Sequence, residues 1–156
     1  MQMKIRQSLT LADEPTGPTY QKLLEFCAMR SSHLTLVIRE SISTTLEFDD
    51  FLQEVKAFTV SSSLQSEWPG TILLSGTARV VVVSVCGPVM AVVSQQTDQL
   101  FGWRQPQLPE DLSFLRSDGS PLFVMISHEN DAYFELDETE AEDLRSNLSN
   151  LCLVAE

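Results

Sequence analysis

His128, Glu129, Asp131 and Glu135 stand close together in PLFVMISHENDAYFEL, between two apolar runs. An imidazole beside carboxylates has the ingredients of a general base with its orienting acid, or of part of a metal site. Spacing argues against both. A zincin helix needs H-E-x-x-H, two histidines on one face; here His128-Glu129 is followed by Asn130, Asp131 and Ala132, and the other histidine, His33, is remote. The acids of ENDAYFELDETE lack the alternation, central Gly and closing Glu of an EF-hand loop. The chain has no G-x-S-x-G elbow to supply a nucleophile, and no G-x-x-x-x-G-K-[ST] or G-x-G-x-x-G to cradle phosphate. The stretch therefore reads as a hairpin turn, in which His128 ends one strand, Glu129-Asn130-Asp131 turns and Ala132 begins the next. No catalytic residue, metal ligand or cofactor is assigned from it. A small hydrolase or metal-dependent enzyme centred on His128, Glu129 and Asp131 stays an alternative that requires a second catalytic group from elsewhere.

Binding offers more candidates. Trp68 and Trp103 stand beside loops, next to Pro69 and Pro106; loop tryptophans serve as interface anchors, or pin their loop to the core. Arg104 and Arg116, isolated in an acidic region, are expected to tie loop carboxylates together. The formal charge is −12 and very uneven. Residues 1–39 are net +2, residues 40–110 net −5 and residues 111–156 net −9. Such a field repels nucleic acid and anionic lipid and speeds encounter with a basic protein. The acids placed to meet that partner are Asp49, Asp50 and Glu54 on one helix and Glu138, Glu140, Glu142 and Asp143 near the C-terminus.

The elements that must carry these residues are legible from periodicity. The length of 156 residues and a hydrophobic fraction of 43% suit one globular domain. No apolar stretch is long enough to span a bilayer, and the start has no secretory h-region. Cys27, Cys86 and Cys152 are odd in number and far apart, which suits small buried hydrophobes in a reducing cytoplasm.

A helix is predicted from Thr19 to about Arg30, then a strand in HLTLVIRE. Phe48, Phe51, Leu52, Val55 and Phe58 form the stripe of an amphipathic helix, with Thr44 and Glu47 at capping-box spacing. VSSSLQSEWPGT reads as a polar connector, TILLSG and ARVVVVSV as strands, the second buried on both faces. PVMAVVSQQTDQL, over 88–100, mixes strand composition with helical spacing and is taken as a helix opened by Pro88. RQPQLPEDL is an extended loop. LSFLR, LFVMIS and AYFEL alternate as a three-stranded antiparallel meander, and Asp137 with Glu140 caps a last helix carrying Ala141, Leu144 and Leu148 inward. Residues 1–12 leave open whether they form an edge strand. The whole predicts an α+β fold: an antiparallel or mixed sheet with a C-terminal meander, packed against about four helices.

Taken together, W-P-G-T at 68–71, W-x-x-P-x-L-P-E-D-L at 103–112, R-x-D-G at 116–119 and H-E-x-D-A-Y at 128–133 resemble a family of small, acidic, single-domain bacterial proteins. The resemblance covers about residues 67–137. It implies a bacterial, cytoplasmic protein and transfers no catalytic residue. The expectation is a non-enzymatic binding protein, monomeric or homodimeric, that meets a basic partner, most concretely an immunity protein against a bacterial toxin or effector. The alternative binding role is a secretion chaperone, an acidic homodimer.

Overall fold

The computed structural model of the chain describes residues 5–155. Its frame is an eight-stranded sheet in which every pairing is antiparallel, with four α-helices on one face and a two-stranded hairpin on the other. This is the predicted α+β architecture. In chain order the elements are β1 (Gln7–Leu11), α1 (Gly17–Arg30), β2 (His33–Ile38), α2 (Leu46–Val55), β3 (Thr59–Gln65), β4 (Glu67–Trp68), β5 (Thr71–Ile72) and β6 (Ala78–Ser84). They continue as α3 (Gly87–Ser94), β7 (Glu110–Leu115), β8 (Pro121–Ile126), β9 (Asp131–Leu136), α4 (Glu138–Asn147) and β10 (Leu153–Ala155). The large sheet runs β10-β1-β9-β8-β7-β2-β6-β3, and β4-β5 stands apart as the hairpin.

The period-two alternation of strands decides which residues go where. In β6, Val81 and Val83 join the helix-side core, while Val80 turns to the other face with Val37 and Trp68. The run of valines is thus buried on both faces, as predicted. The helix-side core centres on Phe123 of β8 and Phe134 of β9, ring centroids 4.8 Å apart, with Phe26 of α1 edge-on to Phe134 at 5.8 Å. The predicted antiparallel meander forms as β7-β8-β9, with Phe114 opposite Phe123 and Phe123 opposite Phe134. Asp137 caps α4 in a full capping box with Glu140, and Ala141, Leu144 and Leu148 are buried.

Several expectations need correction. The N-cap of α2 is Thr45, not Thr44: its hydroxyl oxygen accepts from the Phe48 amide, and no capping box forms with Glu47. Thr45 is fixed there because its amide and hydroxyl both donate to the Pro106 carbonyl. The helix predicted over 88–100 stops at Ser94. The amides of Gln95 and Gln96 tighten onto the carbonyls of Val92 and Val93, and the Thr97 hydroxyl accepts from the Gln99 amide in a local turn that competes with the helix.

VSSSLQ is no connector but β3, paired to β6; its polarity reflects a place at the sheet edge with side chains exposed. TILLSG contributes only Thr71 and Ile72 to a strand. In the first twelve residues Gln7–Leu11 form β1, one place in from the edge, because β10 pairs outside it; residues 1–4 lie outside the described residues. Cys27 is buried, but Cys86 is half-buried and Cys152 exposed, so the expectation of three buried thiols fails for Cys152.

Candidate functional site

The helix layer seals one face of the sheet, whereas the opposite face is covered by the small hairpin β4-β5. What holds the hairpin down is a buried polar knot. The indole N–H of Trp68 donates to Asp111 Oδ2 at 2.9 Å, and Asp111 Oδ1 accepts from the Ser127 amide at 2.7 Å. In return the Asp111 amide donates to Ser127 Oγ at 2.8 Å, and that hydroxyl donates to the Trp103 carbonyl at 2.8 Å. Asp111 has a left-handed φ of 52°, a region that Asp tolerates better than most residues. At the hairpin turn, Gly70 has φ +84°, and a Cβ there would lie 2.7 Å from Val124 Cγ1. The Trp-Pro-Gly sequence is therefore a clamp: a buried ring, then a turn whose backbone rests on the sheet.

Beside the hairpin an open cleft of about 560 Å³ lies between Thr71–Leu74 and the turn after β8. Its floor carries a shielded ion pair, Arg39 Nε to Glu110 Oε1 at 3.1 Å, with Glu110 only 4% exposed. The second oxygen of Glu110 accepts from the Gln105 amide at 3.2 Å. The Gln105 side chain in turn accepts from the Arg39 amide at 2.7 Å and donates to the Arg39 carbonyl at 3.0 Å. Arg39 also lies over the Trp68 ring, 5.7 Å from its centroid. Its charge is thus satisfied from within the fold.

The rim is different: His128 and Glu129 stand on one side, and Ile42, Ile72 and Leu74 offer aliphatic side chains to solvent. Ile72 is 73% exposed and Leu74 fully so. Exposed aliphatics gathered round a concavity are unusual on a surface that meets only water.

His128 sits in a 3-10 turn at Ser127–Glu129, beyond the last residue of β8, with Asn130 left-handed at φ 51°. It does not end the strand as expected. Its Nε2 is 3.8 Å from Glu129 Oε1, and both side chains are half-exposed or more. Among the described residues no hydrogen bond ties it to a serine, threonine or cysteine, and no group of three metal-ligating side chains gathers. His33 begins β2 whereas Arg39, just past the end of that strand, lines the cleft, so about 17 Å of strand separates His33 from the cleft end. Asp131 accepts from the Ala132 amide at 2.9 Å, and Glu135 is paired opposite Ser8. The four residues that began as one cluster do not converge on a common point.

The binding candidates divide as well. Trp103 is fully buried, edge-on to Phe51 at 5.2 Å, and its N–H donates to the Tyr20 hydroxyl at 2.8 Å. Burial of that hydroxyl pushes the Tyr20 pKa up to about 12. Trp68 is 5% exposed. Both indoles pin loops to the interior.

Asp49, Asp50 and Glu54 are exposed on α2, and Glu138, Glu142 and Asp143 on α4. These two sets do not merge. α3 packs against both α1 and α2, while Arg30 of α1 reaches Asp143 of α4 at 3.3 Å, so α2 and α4 stand at opposite ends of the helix layer. Glu140 is spent internally, on the Asp137 cap and on Arg116 at 2.8 Å. Arg116 ties a carboxylate as expected, adding donations to the carbonyls of Pro121 and Glu135. Arg104 instead donates to the Ser127 backbone carbonyl.

Five arginines, 6, 30, 39, 79 and 116, are each engaged by a carboxylate, while Asp49, Asp50 and Glu54 have no ion-pair partner among the described residues. Sequence reasoning missed Arg39, Glu110 and the cleft aliphatics. The available signal was the apolar TILL between Trp-Pro-Gly and Ser-Gly, too short and too punctuated for a buried strand.

No helix among the described residues is long and apolar enough to cross a membrane. The chain matches no protein-family model, no curated protein and no solved structure.

Proposed function

We propose that this chain is a non-enzymatic protein-binding module that neutralises a basic partner, in its most concrete form an immunity-type protein acting against a bacterial toxin or effector in the cytoplasm. The observation that carries the reading is the rim of the outer-face cleft, where Ile42, Ile72 and Leu74 are exposed beside Glu129 while the ion pair below is already satisfied. Apolar contact there supplies the adhesion. The unpaired carboxylates of α2, in a chain of formal charge −12, supply the steering of a cationic surface.

The test is co-expression with the toxin or effector encoded beside its gene. The chain should restore growth and co-purify as a stable complex. Ile72→Asp with Leu74→Asp should abolish protection at an unchanged thermal midpoint, because both side chains are exposed. Undiminished protection by that double variant, or no protection by the native chain, overturns the proposal. A second reading, a secretion chaperone working as an acidic homodimer, is favoured by one observation, the edge strand β3, which no strand covers among the described residues.

A further inference from the structure

The two edges of the sheet are built differently. One ends in β10, three residues long, which is a common way of making an edge unattractive to further strands. The other ends in β3, seven residues, TVSSSLQ. In a chain with 21% charged residues this strand has none, and it contains no proline. Its irregularity in pairing with β6 lies at its start, between Thr59 and Ser61, and Ser61–Gln65 pair in unbroken register. Val60 is 59% and Leu64 51% exposed, and Ser61, Ser62 and Ser63 between them are exposed too. Of the usual protections against edge-to-edge pairing, β3 carries only the irregularity at its start, where Val60 lies; it has no lysine or proline, and among the described residues no loop covers Ser61–Gln65.

We propose that β3 is a self-association edge: it pairs antiparallel with β3 of a second copy and joins two eight-stranded sheets into one. The occupant is a second copy because the segment is self-complementary. Pairing about a two-fold axis at Ser62 sets Val60 of each chain opposite Leu64 of the other, so that four exposed aliphatic side chains cover one another, with serines between. Charge points the same way. Two chains of formal charge −12 repel, so contact between copies requires a strip without net negative charge. Thr59–Gln65 has no charged residue of its own, and Arg79, which donates to Ser62 Oγ at 3.2 Å, is balanced by Glu40 at 3.0 Å. A basic foreign strand would find no carboxylate on β3 to meet it. The edge is distinct from the outer-face cleft, so a dimer leaves the cleft rim open and the inference does not depend on the partner proposed above.

Sedimentation equilibrium of the full chain tests it. The native protein should reach twice its 17.5 kDa chain mass as concentration rises. Association should strengthen with added salt, because the long-range repulsion is screened. Val60→Glu with Leu64→Glu places two like-charged pairs across the axis and should weaken association roughly tenfold or more. Val60→Lys with Leu64→Glu makes the same positions complementary and should restore the dimer. Equal thermal midpoints in the three proteins, measured at dilutions where each is monomeric, separate loss of association from loss of fold.

Hydrogen exchange on the unaltered chain is the second measurement: the outward-facing amides of Ser61–Gln65, those not donating to β6, should be protected at high concentration and not at low. A chain that stays monomeric throughout overturns the proposal, as does a dimer indifferent to the double glutamate variant or one that the charge swap fails to recover. β3 amides protected only when a foreign protein is added would assign the edge to another occupant and overturn it too.

Discussion

Asp111→Asn isolates the charge that clamps the hairpin. Asparagine has the same shape and tolerates a left-handed φ as readily as aspartate, so the backbone at 52° adds little of its own. The hydrogen bonds are what change. The carboxylate accepts at both oxygens, from the Trp68 indole at 2.9 Å and from the Ser127 amide at 2.7 Å. An amide has only one oxygen, so its NH2 group must face one of these two donors.

Hydrogen bonds to a charged acceptor contribute about 1.5–3 kcal/mol, and a buried donor left unpaired costs about 1–3 kcal/mol. Against this, a neutral amide is cheaper to bury than a carboxylate. Because Asp111 is fully buried and both donors are fixed by the fold, the lost acceptor outweighs the saved desolvation, and the net loss is about 2–3 kcal/mol. For a chain of this length that lowers the thermal midpoint by roughly 4–12 °C. Urea denaturation followed by tryptophan fluorescence and circular dichroism measures it, together with Trp68→Phe and the double variant. The cycle should return a coupling of about 1–2 kcal/mol, since either single change removes or weakens the charge-assisted bond that the two residues share. A loss below about 0.5 kcal/mol for Asp111→Asn, or additivity within that margin, refutes the clamp.

Gly70→Ala should destabilise by about 2–3 kcal/mol, since it combines φ +84° with a Cβ 2.7 Å from Val124 Cγ1; a thermal midpoint equal to the native one would show that the hairpin does not rest on the sheet. Arg116→Met should cost about 3 kcal/mol in a urea titration, because Glu140 and the carbonyls of Pro121 and Glu135 lose their common donor. The Tyr20 hydroxyl, raised from 10.0 to about 12, gives a signed pH dependence. Its full contribution is present below pH 10; above that the unfolded chain ionises first, and stability falls by up to about 1.4 kcal/mol per pH unit until the folded pKa near 12 is passed. Tyr20→Phe should remove that part of the slope between pH 10 and 12, and an identical slope in both proteins contradicts the buried Tyr20–Trp103 pair. Thr45→Ala should cost about 1 kcal/mol, whereas Thr44→Ala should be neutral within about 0.5 kcal/mol, which distinguishes the two possible caps by thermal melting.

The elements that sequence made legible are those whose signal is local. The meander from Glu110 to Leu136 is three short runs punctuated by Ser-Asp-Gly-Ser and Glu-Asn-Asp, of which β9 alternates with a period of two while β7 and β8 are buried on both faces. Asp137 with Glu140 announces α4 three residues apart. What escaped depends on partners distant in the chain. β3 has the composition of a connector because an edge strand exposed on both faces has no apolar face to alternate, and only its pairing to β6 makes it a strand. α3 ends early because Thr97 bonds its own loop, which a valine-rich periodicity does not register. The site was harder still. Trp68 and Trp103 were visible as unusual loop residues, but that both rings turn inward is tied to Asp111 and Tyr20, some forty and eighty residues away. The cleft joins Arg39, Leu74, Glu110 and His128 from four separate segments, and no single stretch of sequence contains it.

That division bears on how charge and contact are apportioned in the function we propose. The net charge is set by residues spread over the chain, yet the arginines are largely consumed by internal pairs, so the field outside the protein comes from carboxylates such as those of α2. The helix face and the cleft face are opposite sides of one sheet. A partner steered by the first and held by the second must respond to two kinds of substitution differently. Reversing Asp49 and Asp50 to Lys changes the long-range field and should slow association, with an effect that fades as salt rises. Truncating Ile72 and Leu74 changes the contact and should speed dissociation at any salt concentration. If both sets of substitutions acted on the dissociation rate alone, the carboxylates of α2 would themselves be in contact with the partner, and the contact would have to be moved from the cleft to the helix layer.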